Sequence, residues 1–194
     1  MCGGTLSAAA ASRVVSYPEP PQRYRSADYT IRANEVEVPV YMALTQHHDK
    51  KYSLAYFDFE GPVTVTIEST MPLDDLQILP LSLGIKPEVK GCTATFNLQE
   101  PCDLSFEPRG QNSPLLLFTN PLATDTPNPS DPDVVYFGPG EHNPEGGLIS
   151  LTEGQTLYIA GGAIVNAGVE ARGKNITICG HGILDGSDWE HNAG

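Results

Sequence analysis

Gly154-Gln-Thr-Leu-Tyr-Ile-Ala-Gly-Gly-Ala-Ile-Val165 lies over Gly173-Lys-Asn-Ile-Thr-Ile-Cys-Gly-His-Gly-Ile-Leu184 at an offset of 19 residues. Glycines coincide at 154/173 and 161/180, and isoleucines at 159/178 and 164/183. Leu157/Ile176 and Val165/Leu184 keep apolar character, and Ala160/Cys179 keep small size. Val135-Tyr-Phe-Gly-Pro-Gly140 follows the template of Leu157-Tyr-Ile-Ala-Gly-Gly162 at an offset of 22. A repeat of about 20 residues, built of short strands and glycine turns, is the signature of a solenoid, since one copy is too short to close a core alone. Stacked copies are predicted to bury Val135, Phe137, Leu157, Ile159, Ile176 and Ile178, with Phe137, Ile159 and Ile178 in one inward column. Tyr136, Tyr158 and Thr177 should form an outward column. A parallel β-helix fits this pattern; the alternative is a chance repeat inside an ordinary sandwich. The repeat is still running at Gly194 and Trp189-Glu-His-Asn-Ala-Gly194 does not read as a cap, so the sequence reads as cut short.

Upstream the period changes. Val36-Glu-Val38-Pro-Val40, Val63-Thr-Val65-Thr-Ile67 and Thr93-Ala-Thr-Phe96-Asn-Leu98 alternate with period two, as strands with one buried face do. Residues 52–59, 104–107 and 115–118 are shorter candidates. Turn chemistry separates them, as in Glu60-Gly-Pro62 and Lys90-Gly91. The predicted fold class is all-β: an N-terminal β-sandwich over 26–120, then the first rungs of a right-handed parallel β-helix over 134–194. Residues 121–133, rich in proline, read as a linker. Residues 1–25 read as a disordered leader, without the basic start and long apolar core of a secretory signal.

The chain has 194 residues and a formal charge of -13, from 11 Lys+Arg against 24 Asp+Glu. An acidic surface repels phosphate backbones and anionic lipid, so neither nucleic acid nor membrane is expected as a partner. No apolar run is long enough to span a bilayer. The four cysteines, at 2, 92, 102 and 179, form no CxxC, so no metal site and no cofactor are expected. Cys92 and Cys102 bracket a strand and can pair in an oxidising compartment; otherwise they read as ordinary buried thiols.

Tyr136-Phe-Gly-Pro-Gly140, Gln155-Thr-Leu-Tyr-Ile-Ala-Gly-Gly-Ala163 and Gly180-His-Gly-Ile-Leu-Asp-Gly-Ser187 with Trp189 resemble the family 28 glycoside hydrolases. These are the polygalacturonase-like proteins of the pectin-lyase-like superfamily. The resemblance is to the branch with a β-sandwich ahead of the β-helix, a layout the family 49 dextranases share. It runs from about Tyr29 to Trp189 and implies a secreted or periplasmic hydrolase acting on a polysaccharide, pectic or neutral glucan, through paired aspartates later in the helix. The family's catalytic pattern reads Asn-Thr-Asp, Asp-Asp, Gly-His-Gly, Arg-x-Lys. Here there is no Asn-Thr-Asp, and Arg172-Gly-Lys174 precedes the only Gly-His-Gly, the wrong order. The catalytic pair is therefore expected beyond this chain.

Within the chain the catalytic candidates are Asp185, Asp188 and His181. Glycoside hydrolysis needs two carboxylates flanking the scissile bond, but Asp185-Gly186 reads more simply as a turn. His181 aligns with a turn position of the preceding repeat. Asp74-Asp75 reads as a solvated turn and His47-His48-Asp49 as a polar loop, since adjacent residues on a strand face opposite ways. Asn175-Ile-Thr177 is a glycosylation sequon that a turn asparagine explains equally well. Trp189, Tyr136 and Tyr158 are candidate sugar contacts; for the two tyrosines, cover by the sandwich or linker is the plainer reading.

Three functions compete: the N-terminal portion of a polysaccharide hydrolase, a non-catalytic carbohydrate-binding or scaffold module, and a polysaccharide lyase. The last is weakest, because residues 134–194 offer only Arg172 and Lys174 as bases and no clustered acidic ligands for calcium. The absence of a basic patch favours a neutral glycan over polygalacturonate.

Overall fold

The computed structural model describes residues 12–44, 51–108 and 114–187. The described chain is all-β. Its first sheet is mixed and has six strands: β1 (Arg13–Val15), β4 (Val40–Leu44), β5 (Lys51–Glu60), β7 (Gln77–Leu79), β10 (Asp103–Glu107) and β11 (Leu115–Asn120). The ten-residue β5 is its axis: β4 and β1 follow one another along one edge, and β11 runs parallel along the other. The second sheet has five antiparallel strands in the order β3-β2-β6-β9-β8, where β2 is Tyr29–Ala33, β3 Val36–Val38, β6 Val63–Ser69, β8 Glu88–Lys90 and β9 Thr93–Leu98.

Alternation decides how these sheets meet. Val63, Val65 and Ile67 point in from β6, Ala94, Phe96 and Leu98 from β9, and Ala55, Phe57 and Phe59 from β5, all in one core with Phe106 and Leu117. Fully burying such side chains stabilises by about 1.5–3 kcal/mol each. β5 departs from the predicted one-sided strand. Every residue from Ala55 to Phe59 is buried, so Tyr56 and Asp58 on its outer face are covered as well. A strand without polar alternation is one packed on both sides, and the second cover comes from the C-terminal half.

There three parallel ladders run side by side. They are β12-β15-β18 (Val134–Phe137, Thr156–Ile159, Thr177–Cys179), β13-β16-β19 (Gly140–His142, Ala163–Asn166, Ile183–Asp185) and β14-β17 (Leu148–Leu151, Gly168–Ala171). The 22-residue offset is the β12/β15 register, and the 19-residue offset is the β16/β19 register. Between β15 and β18, however, Leu157 pairs with Ile178, an offset of 21. Ile178 therefore continues the Val135–Leu157 row and not the predicted Phe137–Ile159 column. Tyr136 and Tyr158 are followed outward by Cys179, while Thr177 sits beside Thr156. The cause is the third turn, two residues shorter than the one before it. Gly180 and Gly182 cut the corner against the previous coil, where a Cβ would lie 2.0 Å from the Ile159 carbonyl oxygen and 2.4 Å from Ile159 Cγ2 respectively. Only glycine passes there.

The predicted interior otherwise holds. Leu157 and Ile159 are buried with Ile149, Leu151, Val165 and Ala167, and Val135, Phe137 and Ile176 pack on them. Ile178, at the edge of the last described coil, is 53% exposed. Two further corrections concern the first residues and the cysteines. Residues 13–25, read as part of a leader, supply β1 and a 3-10 turn at Gln22–Tyr24, because Val14, Tyr17 and Tyr24 find apolar cover on the rest of the molecule. Cys92 lies exposed in the turn before β9 and is not buried, Cys102 is half-buried, and both are free thiols.

Candidate functional site at the junction of the two halves

The outer face of β5 meets the C-terminal ladders through a tyrosine seam. Tyr17, on the strap that follows β1, packs on Tyr56, and Tyr56 on Tyr41, each pair with ring centroids 5.2 Å apart. Ile164 and Ile183 close the seam from the coils. Tyr56 donates to the Tyr41 hydroxyl (3.3 Å), Tyr41 to the Pro18 carbonyl (3.2 Å), and the Gly162 N–H to the Tyr56 hydroxyl (2.9 Å). The strap lies so close to the coil that a Cβ at Gly161 would stand 1.8 Å from the Tyr17 ring. Burial raises the Tyr17, Tyr41 and Tyr56 hydroxyls above the ordinary tyrosine value, and for Tyr17 the Asp58 carboxylate adds to the effect.

At one end of the seam stands a buried carboxylate. Asp58 is 1% exposed. Its Oδ2 accepts from the Tyr17 hydroxyl at 2.6 Å and lies 2.7 Å from Nδ1 of His181. Since a carboxylate only accepts, His181 carries its proton on Nδ1. Asp58 Oδ1 has no partner among the described residues. Two clefts flank this trio and share His181. One of about 370 Å³ is lined by Leu54, Phe118 and Gly180, and one of about 340 Å³ by Arg13, Tyr136 and Tyr158.

A second polar group lines the end of the β13-β16-β19 ladder. Asn166 pairs in register with Asp185 and donates to Asn143 Oδ1 at 2.7 Å. Tyr24 donates to Asn166 Oδ1 at 2.9 Å, and Glu141 forms an ion pair with Arg23. Burial raises the Tyr24 hydroxyl, against which the Asn166 and Arg23 contacts work.

The residues singled out from sequence fall as follows. Asp185 accepts the Ser187 N–H at 2.9 Å, the turn its Asp-Gly context suggested. His181 does sit in a turn, but the shortened corner places it on Asp58, far away in sequence. Tyr136 and Tyr158 stack at 5.4 Å with 17° between their planes. Tyr158 is buried beside the segment holding Thr126, whose hydroxyl is 3.5 Å from its own. Asp74 and Asp75 are exposed in a turn, and Asn175 adopts a left-handed conformation at φ 57°. Asp188, Trp189 and the run His47-His48-Asp49 lie outside the described residues. No group of three or more candidate metal ligands occurs among the described residues. Sequence reasoning missed Asp58 and Tyr17. The sequence carries only indirect signs of them: the run Ala55-Tyr-Phe-Asp-Phe59 lacks the alternation of a one-sided strand, and the doubled glycine at 161–162 marks a close approach without saying to what.

No protein-family model and no curated protein matches the chain. Among solved structures it is similar to Dex49A from Penicillium minioluteum. The TM-score is 0.67 at 14% identity over 92% of this chain, which spans about half the length of that one. At this identity the likeness shows a distantly shared fold. The expected all-β class is borne out; a likeness to the family 28 hydrolases is not shown, and the neighbour is a family 49 dextranase.

Proposed function

We propose that the chain is the N-terminal portion of a polysaccharide-degrading glycoside hydrolase, a β-sandwich over 26–120 leading into a right-handed parallel β-helix from about 134. The observation that carries this reading is the likeness to Dex49A, a glycoside hydrolase, over nearly the whole chain. The in-register ladders support it. So does the exposed apolar edge at Ile178 and Leu184, which a further coil of the same kind would cover.

Hydrolysis belongs to carboxylates on later rungs. An inverting pair needs about 6.5–9.5 Å between its members, with a water and the scissile bond between them. Asp185 is held by its own turn, and Asp58 is 1% exposed with no second carboxylate among the described residues of the cleft it lines, so neither is placed as such a catalyst. The acidic chain, with its dextranase-like neighbour, favours a neutral glucan over a pectic substrate. A reducing-sugar assay on dextran, polygalacturonate and rhamnogalacturonan tests the reading, using this chain and a longer one carrying the following rungs. The longer chain should release sugar from dextran and this chain none. Turnover by this chain, lost on Asp185→Asn, would overturn the placement. Silence of the longer chain on all three would leave a non-catalytic carbohydrate-binding module.

A further inference from the structure

The smaller cleft is built by three separate parts of the chain: Arg13 from β1, Thr126 from the proline-rich segment, and Tyr136 and Tyr158 from the ladders. At its inner end are Asp58 and His181. Its volume of about 340 Å³ is at the low end of the range for small-ligand pockets, roughly 300–1,000 Å³. Asp58 has a feature that the seam itself does not explain. Both donors converge on Oδ2, and Oδ1 is fully buried with no partner among the described residues. An unmet acceptor on a buried carboxylate costs more than a neutral one, because hydrogen bonds to charged groups are worth about 1.5–3 kcal/mol. Such a group needs a donor, and Asp58 is among the residues that line the cleft.

The geometry points to this cleft as a binding site for one unit of a neutral glycan, with the Asp58 side chain turning toward the cleft so that its unmet oxygen accepts from a sugar hydroxyl. The proposal rests on the glycan-hydrolase reading and adds a site that belongs to the junction and not to the catalytic rungs. The chemistry matches on three counts. Sugars are rich in hydroxyl donors, which a carboxylate acceptor binds in charge-assisted bonds. Tyr136, half-buried and stacked on the buried Tyr158, supplies an aromatic face with a hydroxyl at its edge, suited to a ring that is apolar on one face and polar around its rim. Arg13, exposed at the mouth and in no ion pair among the described residues, can donate to hydroxyl or ring oxygens. A uronic acid is disfavoured by the carboxylate already at the inner end. Since the walls come from both halves, the site exists only when they are docked.

The test is titration of this 194-residue chain with isomaltotriose, and separately with trigalacturonate, followed by calorimetry and amide NMR. Isomaltotriose should bind saturably, with shifts gathered around Arg13, Thr126, Tyr136 and His181. Trigalacturonate should bind at least tenfold more weakly. Tyr136→Ala and Arg13→Ala, both away from the seam's core, should each weaken isomaltotriose at least tenfold, as should Asp58→Asn. No saturable binding, wild-type affinity in both surface variants, or equal affinity for the acidic sugar would overturn the proposal. If a longer chain hydrolyses dextran while this chain binds nothing, the site fails and the hydrolase reading stands. Binding here with an inactive longer chain gives the opposite result.

Discussion

The two-sheet half and the ladder half bury similar residues but close their cores differently. In the first, Phe57 on β5 has strands on both sides and a second sheet across from it, and nothing of it is exposed. In the second, Leu157 is equally buried, yet Ile178, its partner one coil further on, is half open. The difference is between a core bounded by two sheets and one bounded by its own next turn. Pairs of sheets finish themselves; stacked coils pass an unfinished face forward.

The largest expected effect breaks the comparison if it fails. Phe57→Ala should cost about 3–5 kcal/mol, as removal of a buried phenyl does. Ile178→Ala should cost under about 1 kcal/mol in this chain, and several times more once a further coil covers it. Chemical denaturation of both variants, in short and extended chains, measures this. Equal costs in the short chain would mean that Ile178 is already enclosed.

Next comes the junction. His181→Ala leaves the buried Asp58 carboxylate with Tyr17 as its only donor. Depriving a buried acceptor of one donor costs about 1–3 kcal/mol, and a loss in that range is expected in denaturant titration. A negligible change would show that the pair does not hold the halves together. Gly180→Ala tests the shortened corner. With φ at 114° and the Ile159 carbonyl in the way, it should cost about 1–3 kcal/mol, while Gly186→Ala, with open space around it, should be nearly silent.

Alkali probes the tyrosines that the two halves do not share equally. Burial pushes Tyr29, in the sheet core, up to about 12, and Tyr17, Tyr41 and Tyr56 of the seam are raised as well. The folded protein keeps protons that the unfolded chain releases near pH 10. Stability is therefore whole below pH 10 and falls as pH rises towards 12, by roughly 1.4 kcal/mol per pH unit for each such tyrosine. Tyrosinate absorbance should lag behind free tyrosine and then rise together with unfolding; simple titration at pH 10 would contradict it. The smallest effect is Thr177→Asp, an exposed change expected within about 0.5 kcal/mol.

The period-two runs at Val63-Thr-Val65-Thr-Ile67 and Thr93-Ala-Thr-Phe96-Asn-Leu98 were readable because each faces water on one side, so burial is written into every second letter. The 22-residue repeat was readable because glycine and apolar positions recur in step. The gapless 19-residue alignment failed before the corner at Gly180-His-Gly182 because a sequence comparison without gaps cannot see a turn that loses two residues. The junction was the least legible part. Asp58, Tyr17 and His181 are far apart in the chain, and nothing local to any of them announces the others. The site was therefore visible only as isolated candidates, of which His181 was judged a turn residue, correctly as to place and incompletely as to contact.

The strap carrying Tyr17 bears on the order in which the molecule can be made. Its hydroxyl reaches Asp58, 41 residues on, and lies 3.2 Å from Nδ1 of His181, 164 residues on. A chain that leaves the ribosome from its N-terminus exposes this strap early, long before the coil that roofs it has been synthesised. Contacts between ends so distant in sequence carry the loop-closure cost that slows folding. A strap made long before its partners is thus among the last parts to be locked, and until then the outer face of β5, with its carboxylate and tyrosines, stays open to water.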